Sequence, residues 1–324
     1  FIEGYTRFVG PNLLEMDDGQ RIRAGRVIVA TGSRPIIPDA WQPFRDRIIT
    51  TDDFFDLEHL PRSIAMVGLG VVGLELGQSL HRLGCQVVGM DIQEAIGGLT
   101  DPAAIKAAID IVGQEFPLWL GEGAEISEGT NGLLKVRAGD KSIEVERVFA
   151  SIGRQPNVEK LGLETIGAPT NDRGIPIYDP HTMQVGDLPV FLAGDVTGER
   201  PLLHEAGDEG RIAGHNAVSE TITAFQRKTP LSITFCDPNI VQVGQNYASL
   251  DPDTTAVGEV QMGPVGRALI MAKNKGVIRV YADKASGRML GAEMVCAKAE
   301  NLGHLLAWCI QRDLTVGELL QMPF

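Results

Sequence analysis

Three glycines, Gly68, Gly70 and Gly73, follow the apolar run Ser63-Ile64-Ala65-Met66-Val67 and open a stretch with leucines at positions 74, 76, 80 and 83. Each glycine meets a different need of a phosphate-binding turn. The first allows a tight passage from strand to helix, the second lets backbone approach a pyrophosphate, and the third lets helix and strand pack closely. The helix start adds amides and the positive end of its dipole. Gly84 closes the helical stretch, and Gln86-Val87-Val88-Gly89-Met90 reads as the next strand, ending at Asp91. A carboxylate at that point can accept hydrogen bonds from the hydroxyls of an adenosine ribose. Glycine-rich turns also serve packing alone, but here strand, turn, helix and acid occur in order. They predict a dinucleotide-binding βαβ unit.

Two more turns put polar side chains at strand ends. Thr31-Gly32-Ser33 follows the apolar residues 27–30, and Gly194-Asp195 follows Pro189-Val190-Phe191-Leu192-Ala193. Alone, a glycine–aspartate pair is usually just a turn. An internal repeat gives these segments weight. Arg26, Val27, Gly32 and Pro35 match Arg147, Val148, Gly153 and Pro156 in register, and Leu13 and Ile22 match Leu134 and Ile143. Each copy reads as a hairpin, an apolar strand and a glycine turn. The repeat suggests a second nucleotide site, with Asp195 reaching sugar-like hydroxyls. The second copy has its phosphate turn. The counterpart in the first copy would fall before residue 1, so the chain is expected to be part of a longer protein.

Composition is that of a globular protein of two or three domains, 44% hydrophobic and 22% charged. The formal net charge of −13 speaks against nucleic acid or an anionic membrane surface, both of which need clustered cations. No apolar run approaches the ~18 residues of a membrane span. Residues 304–310 are expected to form one side of a buried helix. Cys85, Cys236, Cys296 and Cys309 lack the spacing of a zinc site or a CxxC pair. They are expected as small core residues of a cytoplasmic protein, and no metal site is expected. From residue 229 the pattern changes. Runs at 277–281 and 289–295 read as an antiparallel hairpin and residues near 300–312 as a helix, an α+β region without phosphate-loop glycines.

Taken together, Ala30–Pro35 (ATGSRP), Gly68–Gly77 (GLGVVGLELG), Ser151–Asn157 (SIGRQPN), Leu192–Gly198 (LAGDVTG) and His204–Gly210 (HEAGDEG) give a specific resemblance. So do Phe235–Asn239 and the LGAEMV run at Leu290–Val295. Over nearly its whole length the chain resembles the FAD- and NAD(P)-dependent pyridine nucleotide–disulfide oxidoreductases, in the dihydrolipoamide dehydrogenase-like branch. The resemblance implies an α/β fold with two Rossmann-like FAD/NAD(P)-binding domains, the FAD domain incomplete, plus an α+β dimerisation domain. Residues 1–40 with 150–228 would be the FAD-binding part, 41–149 the NAD-binding domain, and 229–324 the interface of a homodimer.

The resemblance also assigns roles. Gly68, Leu69, Gly70, Val71, Val72 and Gly73 would form the NAD-binding turn, with Asp91 on the adenine ribose and Ala124 near the adenine. Gly153 would lie near the nicotinamide half, and Arg154 is also assigned to NAD. Glu75 matches a family glutamate at the flavin–nicotinamide contact; the competing reading is a helix-surface carboxylate. Thr6, Thr31, Gly32, Asp195 and Leu203 would contact FAD, although Thr6 stands where the family usually has Gly or Ala. The family's CxxxxC disulfide, its FAD-binding GxGxxG and its His-Pro-x-x-Glu segment are not in this sequence. No catalytic residue is therefore expected here, the chain alone is expected to be inactive, and His204 is expected to be structural. The implied activity of the parent is electron transfer between NAD(H), FAD and a disulfide or dithiol such as lipoamide. Alternatives are a glutathione- or mercuric-reductase-like enzyme, a soluble transhydrogenase, or a non-catalytic dinucleotide-binding module.

Overall fold

The computed structural model describes residues 1–323. The chain forms two compact units, Phe1–Arg34 with Arg154–Lys228, and Pro35–Gly153 with the segment from Thr229 onward.

In the first unit, strands Thr6–Gly10, Leu13–Met16 and Arg21–Arg23 form an antiparallel sheet. Val27–Val29 pairs in parallel with Val190–Leu192, Val27 beside Val190. Side chains alternate across this pair as a period of two requires. Val190 and Leu192 join Phe8, Leu163 and Val196, whereas Phe191 joins Met183, Ile212 and Ala213. Ile212 and Ala213 come from the Leu203–Val218 helix, so burial on both faces explains why residues 190–192 are an unbroken apolar run.

The second unit is built on a five-stranded parallel sheet. Its order is Ile48–Ile49, Arg147–Ala150, Ser63–Val67, Gln86–Asp91 and Leu118–Leu120. Ile64, Met66 and Val87 face the helices Val71–Arg82 and Pro102–Val112. Ala65, Val67, Val88 and Met90 face the other way, onto Leu134, Val136 and Val145. Those belong to an antiparallel meander, Ala124–Glu128, Leu134–Ala138 and Lys141–Val145. The meander, the following strand and the Arg154–Pro156 strand repeat the elements of residues 6–35, as the internal matches predict.

The rest of this unit is an antiparallel sheet, ordered Leu231–Thr234, Asn239–Gly244, Met289–Cys296, Val277–Asp283 and Thr255–Gln261. One face carries the Ala299–Gln311 helix, packed on Val241, Val243 and Met294. Ile240, Val277 and Val295 point the other way, into the core shared with the two helices of the parallel sheet. Regions 41–149 and 229–324, distinct in sequence character, thus pack as one unit. A buried polar network seals them. Glu293, 0% exposed, accepts from the amides of Thr100 (2.8 Å), Asp101 (2.9 Å) and Tyr247 (3.1 Å). Asp101 caps the Pro102–Val112 helix and receives Tyr281 Oη and Arg279 Nε, each at 2.9 Å. Burial pushes the Asp101 carboxyl upward, but Arg279, the Ala103 amide and Tyr281 outweigh it and hold it below its ordinary value. A buried donor left without its acceptor costs ~1–3 kcal/mol, so these bonds fix one docking geometry.

The helix containing residues 304–310 differs from expectation. Gly303 and Ala307 are buried, but Leu305 and Trp308 (67% exposed) point outward. Only one face of that helix has a sheet to cover it.

Candidate functional site

At the centre of the parallel sheet, the chain turns from Val67 into the Val71–Arg82 helix through the three glycines. Gly68 has φ +93°, and a Cβ there would lie 2.3 Å from the Ser151 carbonyl oxygen. A Cβ on Gly73 would come within 1.9 Å of the Gly68 carbonyl oxygen and 2.8 Å of Ser151 Oγ. Gly70 is exposed, with nothing within 4 Å of its Cβ position. Two of the glycines are therefore required by the protein's own packing. The one in the middle leaves room for something that is not protein.

Ser151 holds this turn from the neighbouring strand. Its amide donates to Val67 O (2.8 Å), and its hydroxyl lies 2.7 Å from Gly68 O and 3.0 Å from Val67 O. In the sequence Ser151 stands out only as the first residue of the Ser151–Asn157 motif. Its one visible signal is its place directly after an apolar strand and two residues before Gly153.

Asp91 ends the strand beside the turn, and its carboxylate holds the turn's own backbone. Its Oδ2 accepts from the Leu69 amide at 2.6 Å and its Oδ1 from the Gln93 amide at 2.8 Å. Leu69, 0% exposed, has its side chain in the core, so it presents only backbone. The helix cap is Gly70, which offers no side-chain acceptor to the first-turn amides at Val71, Val72 and Gly73. These amides, an open glycine and a fixed carboxylate fit a phosphate-bearing ligand with an attached sugar. Ala124 begins the strand after this edge, where the Gly121 amide donates to Gln93 O (3.2 Å). Gly153 (φ +118°) accepts from the Ile36 amide at 3.1 Å.

Glu75 is half-buried on the same helix, and its Oε1 accepts from the Phe235 amide at 2.7 Å. One turn on, Gln78 makes a two-way amide pair with the backbone of Asp237, at 2.8 and 2.9 Å. The helix that begins at the glycine turn thus also fixes residues 235–237. All four cysteines are free. Burial pushes the Cys236 thiol up to about 12 and the Cys296 thiol up to about 11, the opposite of an activated thiolate. No cluster able to hold a metal occurs among the described residues.

The first unit gathers a second set. Thr31 Oγ1 donates to Asn157 O (2.7 Å), and Asn157 returns bonds to Thr31 O (2.9 Å) and Gly32 O (3.0 Å). Gly32 has φ +68° and open space at its Cβ position. Ser33 Oγ donates to Asp195 Oδ2 at 2.7 Å and accepts from Arg154 Nε at 2.7 Å. Arg154, assigned by resemblance to NAD, thus stands with Asp195 in this set, 3.8 Å from its carboxylate. Thr6 is exposed, and its hydroxyl donates to Glu15 O at 3.3 Å. Leu203 opens the Leu203–Val218 helix and is 92% exposed. His204 follows it on the same helix and is exposed, with no side-chain hydrogen bond among the described residues.

Comparison with known proteins identifies the family. The family model for pyridine nucleotide-disulphide oxidoreductase matches residues 1–210, and that family's dimerisation domain matches residues 231–324. The chain belongs to the pyridine nucleotide-disulphide oxidoreductase family. It is 26% identical to a mercuric reductase of Staphylococcus aureus over 98% of its own length and 59% of the relative's. It is 30% identical to a dihydrolipoyl dehydrogenase of Cupriavidus necator, over 93% of this chain and 65% of that one. The chain thus spans about three-fifths of these curated relatives. Among solved structures, LpdA from Mycobacterium tuberculosis superposes with a TM-score of 0.86 at 25% identity, covering 100% of this chain and 73% of that one. The HOCl-induced flavoprotein disulfide reductase RclA from Escherichia coli gives 0.87 at 21% identity, covering 100% and 75%, a likeness of fold.

The three glycines separate fold from ligand. Gly70→Ala, with ordinary φ and open space, is expected to change stability by less than about 1 kcal/mol while impairing nucleotide binding. Gly73→Ala is expected to cost several times that through its clash with Gly68 O. Thermal unfolding of both variants checks this; equal destabilisation would remove the distinction.

Proposed function

We propose that the protein of which this chain is part is an NAD-dependent flavoprotein oxidoreductase acting on a disulfide or dithiol, of the dihydrolipoyl dehydrogenase kind. The observation that carries this reading is the glycine turn, closed by Ser151 and Asp91 and open only at Gly70. In it, residues 68–73 would hold the NAD pyrophosphate and Asp91 the adenine ribose, with Ala124 toward the adenine. Thr31, Gly32 and Asp195, fixed by Asn157, Ser33 and Arg154, would hold the ribityl and phosphate portions of FAD, with Thr6 and Leu203 at its margins. When bound, the two cofactors supply hydride and electron transfer. The chain's own residues orient them: Glu75, pinned by the Phe235 amide, would stand on the nicotinamide side, and Gly153 leaves its approach free of a side chain. The three-part division into FAD, NAD and interface domains belongs to the same reading. So does a cytoplasmic location; no helix among the described residues is long and apolar enough to cross a membrane.

The partner in this reading is a second copy. The outer face of the Ala299–Gln311 helix exposes Leu302, Leu305 and Trp308, and Val316, Leu320 and Met322 follow. A closed two-fold dimer would bury these groups. The intact protein is expected to be a dimer by light scattering at micromolar concentration, and Leu305→Glu with Trp308→Glu to shift it to monomer. A wild-type monomer would contradict this.

Cofactor choice tests the assignment of Asp91. Its carboxylate would face a 2′-phosphate of nearly two negative charges, and Gln93 and Glu94 follow without a cation. NAD is expected to bind at least about tenfold more tightly than NADP, since one charged ribose contact contributes on the order of 1–3 kcal/mol. Asp91→Asn, which removes the charge and keeps an acceptor for one of the two amides that Leu69 and Gln93 present, should narrow the gap. Titration calorimetry measures both, and equal affinities in the wild type would sink the assignment.

A further inference from the structure

The parallel pair in the first unit ends with an unusual step. The Ala193 amide makes the last ladder bond, to Val29 O at 3.1 Å. Gly194 then takes φ +80° and ψ −156°, a conformation essentially restricted to glycine, and Asp195 leaves the strand in a new direction. The Gly194 amide has no strand partner. It donates instead to Glu209 Oε2 at 2.8 Å.

Glu209 lies on the Leu203–Val218 helix and is 1% exposed. A buried carboxylate needs compensation, and Arg227 supplies it, its Nη2 lying 3.2 Å from Glu209 Oε1. The same guanidinium reaches Glu205 at 2.6 Å and Asp208 at 3.4 Å, both acids also buried. Arg200 adds to Glu205 and Lys228 to Asp208. Burial pushes the Glu209 acid upward, opposed by the Gly194 amide and Arg227. So much buried charge is costly as mere scaffolding, since a hydrophobic replacement of similar volume is often as stable. What it accomplishes here is directional: one carboxylate oxygen is held against one backbone amide, one residue before Asp195.

We propose that Glu209 is a positioning residue for Asp195. Its buried carboxylate, balanced by Arg227, fixes the Gly194 peptide, while Ser33 and Arg154 fix the Asp195 side chain. Asp195 is thereby aimed before any ligand arrives. This rests on the reading of Asp195 as a flavin contact.

The test uses the full-length protein stripped of FAD, with FAD affinity read by fluorescence and NAD affinity by calorimetry. Glu209→Leu removes the acceptor. Glu209→Asp keeps the charge near Arg227 but draws the oxygen back from Gly194, and serves if the leucine variant does not fold. Either is expected to weaken FAD by about tenfold or more, the worth of a charge-assisted bond, with NAD affinity changed less than about twofold because its residues lie in the other unit. Exchange of the Gly194 amide, followed without cofactor, should accelerate in both. Unchanged FAD affinity and amide exchange, or equal weakening of FAD and NAD, would overturn the proposal. Asp195→Asn serves as the control. If it leaves FAD affinity intact, the flavin reading of Asp195 has failed. If it weakens FAD while the Glu209 variants do not, the positioning role alone has failed.

Discussion

Everything at the glycine turn depends on how closely two backbones approach. Gly73 lies so near the Gly68 carbonyl that a Cβ would come within 1.9 Å of it, and Gly68 itself is pressed against Ser151. Only with both side chains absent can the Val71–Arg82 helix begin directly over the end of the central strand. That placement points the first-turn amides out of the sheet's carboxyl edge, at the strand ends where open α/β sheets bind ligands. Ser151 and Asp91 close the turn from either side, one on its carbonyls and one on its amide. The turn therefore has a fixed shape without a ligand, and binding need not order it.

The same helix carries this geometry outward. Glu75 and Gln78 hold residues 235–237, and Gln78 also bonds Glu115 at 2.8 Å. On the other side Glu293 grips the loop between Asp91 and the Pro102–Val112 helix. The antiparallel sheet is thus attached to the parallel one by directional bonds as well as by the apolar contacts of Ile240, Val277 and Val295. The segment from Thr229 onward and the glycine turn share one packed body, so a change at either is felt through short, buried contacts.

Much of this was legible because it obeys local rules. The roles of Gly68, Gly70 and Gly73 follow from what a turn needs, and the 277–295 hairpin follows from two largely apolar runs joined by the turn residues Asp283–Gly287. The internal repeat placed matching elements at residues 6–35 and 124–156. What stayed hidden is non-local. Ser151 is an ordinary serine until its strand lies beside Gly68. Arg154 aligns with Ser33 in the repeat, yet nothing local in the sequence brings it to Ser33, 121 residues away, or to Asp195. Glu293 sits in an apolar run that gives no sign of a buried acid, and nothing in the sequence marks Leu305 and Trp308 as outward-facing.

In the proposed reading the turn at residues 68–73 is a preformed NAD site, and the set around Asp195 serves a different ligand. Amide hydrogen exchange measured with and without saturating NAD tests it most directly. Protection is expected to concentrate at Gly70, Val71, Val72 and Gly73, with Gly194 and Asp195 unchanged. Protection confined to residues 31–33 and 194–195, or none at the glycine turn, would contradict it.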